Sequence, residues 1–152
     1  MRLVHEPVEG DRQVLATDVE TADTLLARTK GLMGRSSVPV DYALVFDLQP
    51  DPVKAALARL PGLDGFVDPD QQAVHMLFVR TPLDVVWIED EEVVQVRTLS
   101  PWTGTGSGRG DTLVELAAGV ADGVEPGDRL RVVEDVPGEE DGDSPPVAEA
   151  GD

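Results

Sequence analysis

Residues 73–88, AVHMLFVRTPLDVVWI, constrain the fold more than any other stretch. They read as two apolar runs, 73–79 and 83–88, meeting at an Arg80-Thr81-Pro82 corner. Val, Phe, Trp and Ile dominate both, and neither contains Gly, which is the composition of buried strands. Joined at the corner, the two runs are expected to form the spine of a closed sheet. Three polar groups interrupt them: His75, Arg80 and Asp84. A buried carboxylate such as Asp84 needs a partner, and the corner offers either backbone amides or an Arg.

The rest of the chain reads as short strands around that spine. Arg2–Glu6 and Arg12–Val19, split by Gly10-Asp11, suggest a hairpin. A helix of about ten residues is expected next, capped by Asp18 or Thr21 and stopped by Gly31. Strands are expected at 43–48, 93–99, 112–117 and 129–133, with a type II turn at Glu125-Pro126-Gly127-Asp128. Residues 49–72 carry four prolines and read as a surface insert, with Val53–Leu60 able to form two helical turns behind Pro52. Ser100–Gly110 reads as a flexible Gly-rich loop, and 137–152 as a disordered acidic tail. The sum is a mostly β chain: one domain over 1–136, an antiparallel sandwich or barrel of jelly-roll type with one short α-helix.

Charge narrows the function classes. The chain of 152 residues carries a net charge of −18. That excludes nucleic acid and an anionic membrane surface as natural partners. Only Lys30 and Lys54 are lysines, and removing the acids of the tail leaves most of the excess in place. Lys depletion with acid excess is the pattern of a halophilic cytoplasm, where molar salt screens self-repulsion within about 3 Å. The chain has no Cys and two His, so neither a disulfide framework nor a His-rich metal site is available. No run is long and apolar enough to span a bilayer, and the N-terminus lacks a secretory core. A soluble, cytoplasmic protein is expected, with no cofactor and no metal.

The Gly-rich loop does not make a phosphate cradle. No register gives G-x-G-x-x-G or Gly-Lys-Ser/Thr, and the segment after it reads as a strand rather than a helix. A hydrolytic arrangement could use His75 and Asp84 with Ser100 or Ser107. A lone His in an apolar strand is more commonly a satisfied structural group. Trp102, beside Gly in a loop, either staples the loop or forms a ligand platform.

Several blocks occur together in order: Arg28, Gly31-Leu32-Met33-Gly34-Arg35, Val45-Phe46, His75–Trp87, Pro101-Trp102, Val114–Gly119 and Gly127-Asp128. Over about residues 12–133 they resemble the domain of unknown function 192 family, in the version typical of archaea. The resemblance implies a compact β domain and no established reaction. It singles out Arg28, Met33, Arg35, His75, Arg80, Asp84, Trp102 and Glu115, with Arg28 or Arg80 pairing Asp84 or Glu115. Many bacterial members have Trp-Met at His75-Met76 and Gly-Met-Leu at Tyr42-Ala43-Leu44, and many carry a secretion signal that is not seen here.

Three functions are compatible with these residues. The first is binding of a small molecule or a protein partner by Arg28, Arg35, His75, Arg80 and Trp102, at one end of the barrel. The second is a hydrolase using His75 and Asp84. The third is a scaffold with no site.

Overall fold

Strands β4 (Tyr42–Asp47), β6 (Leu83–Glu89) and β9 (Thr112–Ala117) are buried on both faces. That is why their sequences run apolar almost without alternation. Along each, successive side chains serve two different cores. Leu44, Phe46, Leu83, Val85, Trp87 and Leu113 belong to one cluster. Ala43, Val45, Val86, Ile88, Val114 and Leu116 belong to the other.

The computed structural model describes residues 1–22, 32, 35–48, 52–62, 71–76 and 79–135, with backbone alone at 53, 54, 71–73 and 75. The remaining described elements are β1 (Arg2–Glu6), β2 (Gln13–Ala16), β3 (Asp18–Ala22), α1 (Pro52–Leu57), β5 (Gln71–His75), β7 (Glu92–Leu99), β8 (Thr105–Arg109) and β10 (Arg129–Val133). Eight strands form one sheet in the order β2-β1-β10-β7-β6-β9-β4-β3, and β5 and β8 form a second. Pairings are antiparallel except β3 with β4, which is parallel.

The first cluster is completed by Leu32, Val38, Met76 and Val79 under the smaller sheet. The second is completed by Leu3, Ala16 and Leu130, as β1 and β10 fold over the central strands. The expected class, a mostly β sandwich-like fold with a short helix, is what the chain adopts. The hairpin β1–β2, the strands β4, β7, β9 and β10, and α1 behind Pro52 lie where the sequence indicated.

Four expectations are corrected. The large sheet is open, with β2 and β3 at its edges, so there is no closed barrel among the described residues. The runs 73–79 and 83–88 are not partners: β5 pairs with β8, whereas β6 pairs with β7 and β9. Asp18 and Thr21 do not cap a helix, because both lie inside β3, where Val19 and Ala22 bury on opposite faces. The rest of that expected helix, like the tail, falls outside the described residues.

Finally, the Gly-rich loop contains strand β8. Its glycines lie flat on the buried Trp87 indole, where a Cβ at Gly108 would meet ring atoms at 2.7–2.8 Å. The glycines that made the segment read as a linker are what let it become the strand that covers the core.

Candidate functional site

Residues 35–42, 79–82 and 100–104 flank the same end of the sheet, where β4 and β6 begin and β7 and β9 finish. Tyr42, Leu83, Leu99 and Ala117 form its last buried row, beside Met76 and Val79. Two backbone bonds tie the loops together: Met76 N–H donates to Gly104 C=O at 2.8 Å, and Trp102 N–H donates to Val79 C=O at 3.1 Å. His75 pairs with Thr105 at the end of β5. The backbones of His75, Arg80 and Trp102 are therefore neighbours by construction.

Trp102 is 48% exposed. Its φ is 64°, in the left-handed region that costs a bulky residue about 1–3 kcal/mol. Arg80 is exposed and forms no ion pair with the described residues. Arg35 is exposed as well, with its guanidinium 5.0 Å from the centre of the Tyr42 ring, a cation–π contact. The Tyr42 hydroxyl donates to Glu20 Oε2 at 2.7 Å. Burial and the bond to Glu20 both push the Tyr42 pKa up. The sequence carries no sign that Arg35, Tyr42 and Glu20 form one chain, because they come from the loop before β4, the start of β4 and β3. Arg28 and Met33, and the His75 side chain, lie outside what the structure describes.

Asp84 turns to the opposite face of the sheet. It is 1% exposed. Oδ1 accepts the Thr98 hydroxyl at 2.7 Å, and Oδ2 accepts the N–H groups of Gly119 and Ala121, each at 2.9 Å. Backbone amides do answer it, but those of the turn after β9 rather than the Thr81-Pro82 corner.

Glu115 lies directly between Leu44 and Val85 on the first face. Burial pushes its pKa up to about 7, with no cation or donor offsetting it. Asp84 and Glu115 therefore sit on opposite sides of one sheet, and neither pairs with Arg80.

His5 and Asp128 form a further buried pair that the sequence reading passed over. Nε2 of His5 is 2.7 Å from Asp128 Oδ2. Leu3 and His5 share one parity of a buried strand, which was the available signal.

The family model that matches residues 7–132 is the domain of unknown function 192, described as an uncharacterized ACR. The chain belongs to this family. The DUF192 match covers the described strands almost end to end, from the loop after β1 into β10. No functionally curated protein matches the chain.

Two crystal structures share the DUF192 fold seen here. One is a protein of unknown function from Novosphingobium aromaticivorans, 21% identical, with a TM-score of 0.66 over 86% of this chain and 84% of that one. The other is a Sinorhizobium meliloti protein called a "putative transcription regulator", 23% identical, with a TM-score of 0.65 over 86% of this chain and 91% of that one. Neither the family nor these structures carries an established reaction.

Proposed function

We propose that this DUF192 domain binds a small anionic molecule at the sheet end that carries Arg35, Arg80 and Trp102, in a salt-rich cytoplasm. Arg28 and His75 belong to the proposed set from the sequence. The observation that supports the reading is Trp102. A large aromatic side chain is held half exposed in a left-handed conformation, on a loop bonded to the segment of Arg80. Strain of that kind persists where the surroundings impose it, and it collects at ligand sites.

On a chain of net charge −18, Arg35 and Arg80, exposed and without carboxylate partners among the described residues, mark a place where an anion is less repelled. An indole beside them suits a ligand with a flat or apolar part. The name given to the Sinorhizobium protein does not transfer, because the same net charge opposes a nucleic-acid backbone. The hydrolase alternative gains nothing from Asp84, both of whose oxygens are taken up by donors within the fold.

The test is a thermal-shift and ligand-observed NMR panel of aromatic carboxylates and phosphate monoesters in molar salt. Binding should be lost in Arg80→Glu and in Trp102→Ala, both with unchanged circular dichroism. A panel without a hit, or hits that both variants retain, would refute the proposal.

A further inference from the structure

The fold opens a cavity away from the sheet end that carries Arg80 and Trp102. The ladder between β10 and β7 contains a single residue pair, Arg129 with Glu92. Beyond it β10 departs with β1, while β7 continues along β6. The gap left under β10 is a cleft of about 410 Å³. That is within the usual range for small-molecule sites, roughly 300–1,000 Å³.

Its walls are aliphatic. Val45, Ile88 and Val114 come from the central strands and Leu130 and Val132 from β10. Asp90, Glu91 and Asp111 also line it. Asp90 and Glu91 form the two-residue turn between β6 and β7, at φ of 50° and 65°. Asn-Gly is the usual occupant of such a turn. The turn is braced in place: Asp90 N–H donates to Asp111 Oδ2 at 2.8 Å, and Leu130 N–H donates to Glu91 C=O at 2.9 Å. Asp111 Oδ1 accepts the Thr112 hydroxyl. Arg131 also borders the cleft; its Nη2 donates to Glu6 at 2.7 Å, while its Nε is buried without a partner among the described residues.

We infer that this cleft binds a small aliphatic cation, an alkylamine whose hydrocarbon body fills the aliphatic walls and whose ammonium meets the carboxylates of Asp90 and Glu91, with the charge of Asp111 behind them. The inference is independent of the anion site proposed above. Carboxylates alone would only gather counter-ions, and aliphatic walls alone would accept any apolar body. The two together select a ligand that has both a positive head and a greasy tail. Molar salt weakens the charge contribution but strengthens apolar burial, so such a ligand remains competent in salt.

The experiment is an amide NMR titration in molar potassium chloride with n-hexylamine, n-hexanol and hexanoate. Hexylammonium is expected to shift the amides of Ile88, Val114 and Leu130 saturably, hexanol more weakly, and hexanoate not at all. Val132→Arg places a fixed cation at the partly exposed wall and should abolish the effect. The double variant Asp90→Asn, Glu91→Gln should weaken hexylammonium about three- to tenfold and leave hexanol unchanged. It also keeps the proposal falsifiable if Val132→Arg fails to fold. Unsaturable shifts scattered over the surface would reduce the cleft to counter-ion attraction. Equal binding of hexanoate, or binding that survives both variants, would overturn it. So would a lysine-bearing peptide that binds where hexylammonium does not, since it would assign the cleft to a protein partner.

Discussion

Nε2 of His5 and Oδ2 of Asp128 stand 2.7 Å apart, both side chains buried, although 123 residues separate them in the chain. The carboxylate also accepts Val8 N–H at 3.0 Å and Glu125 N–H at 2.9 Å. One side chain thus holds the loop after β1, the turn before β10 and the imidazole of β1. Burial opposes ionisation of Asp128, but Glu125 N–H, His5 and Val8 N–H outweigh it and hold the carboxyl below its ordinary value.

Asp128→Ala should therefore cost about 2–4 kcal/mol, because it orphans two amides and a buried imidazole at once. A depressed carboxyl stabilises the fold above its unfolded pKa and loses that contribution as pH falls through its lower folded value. The wild type should accordingly lose stability more steeply than Asp128→Ala on acidification below about pH 4. Urea denaturation at several pH values measures both effects. Parallel acid profiles would contradict the assignment.

Gly108→Ala should destabilise the domain by about 1–3 kcal/mol through overpacking. The new Cβ would fall 2.7 Å from Cγ of Trp87, an indole with no exposed surface and no room to withdraw. Gly106→Ala meets the far edge of the ring at 2.9 Å and the end of Leu99 at 3.4 Å, fewer close atoms than at Gly108, and should cost less. The denaturation midpoints should rank wild type above Gly106→Ala above Gly108→Ala. Equal midpoints would mean that β8 does not rest on Trp87.

These glycines also show where reading from sequence stops. Strands whose buried faces are filled by Val, Leu, Ile and Trp declare themselves, and β4, β6 and β9 do so through unbroken apolar runs. TGSGR does not, because the reason for its glycines is an indole 19 and 21 residues before them. The partner of β5 was hidden for the same cause, since it lies in that disguised strand. In β7 a register shift opposite Trp87 and Ile88 places Val93 inside and leaves Val94 40% exposed, so simple alternation of apolar residues does not tell which of the two is buried. For Asp84, the need for donors was legible from its apolar company. Their identity was not, because Gly119 and Ala121 reach it only through the fold. The partner of His5 was hidden in the same way, because 123 residues separate it from Asp128.

Removing salt should unfold the domain. Ion pairs tie β1 to β10 and its surroundings: the Met1 amine and Arg2 with Asp135, and Arg12 and Arg131 with Glu6. Twelve Lys and Arg face thirty Asp and Glu along the chain, which leaves a net charge of −18 that mobile ions must offset. Far-ultraviolet circular dichroism should lose its β signal on dialysis from molar to millimolar potassium chloride and recover on return. An unchanged spectrum would remove the case for salt adaptation.

Glu115 gives the domain a pH response of opposite sign to that of Asp128. Its folded pKa of about 7 lies above that of an exposed glutamate, and burial is the cause. The folded state therefore holds a proton that the unfolded state has released. Stability must fall as pH rises from the unfolded value near 4.3 towards 7, and level off above it. The span is worth on the order of 3 kcal/mol. Glu115→Gln keeps the shape and removes the ionisation. It should be more stable than wild type at pH 8, equal or weaker at pH 5, and flat between them. Thermal denaturation of the two proteins across that range, at constant salt, decides the matter. If the wild type were as stable at pH 8 as at pH 5, Glu115 would have to possess a cationic partner or a path to water that its position between Leu44 and Val85 does not provide.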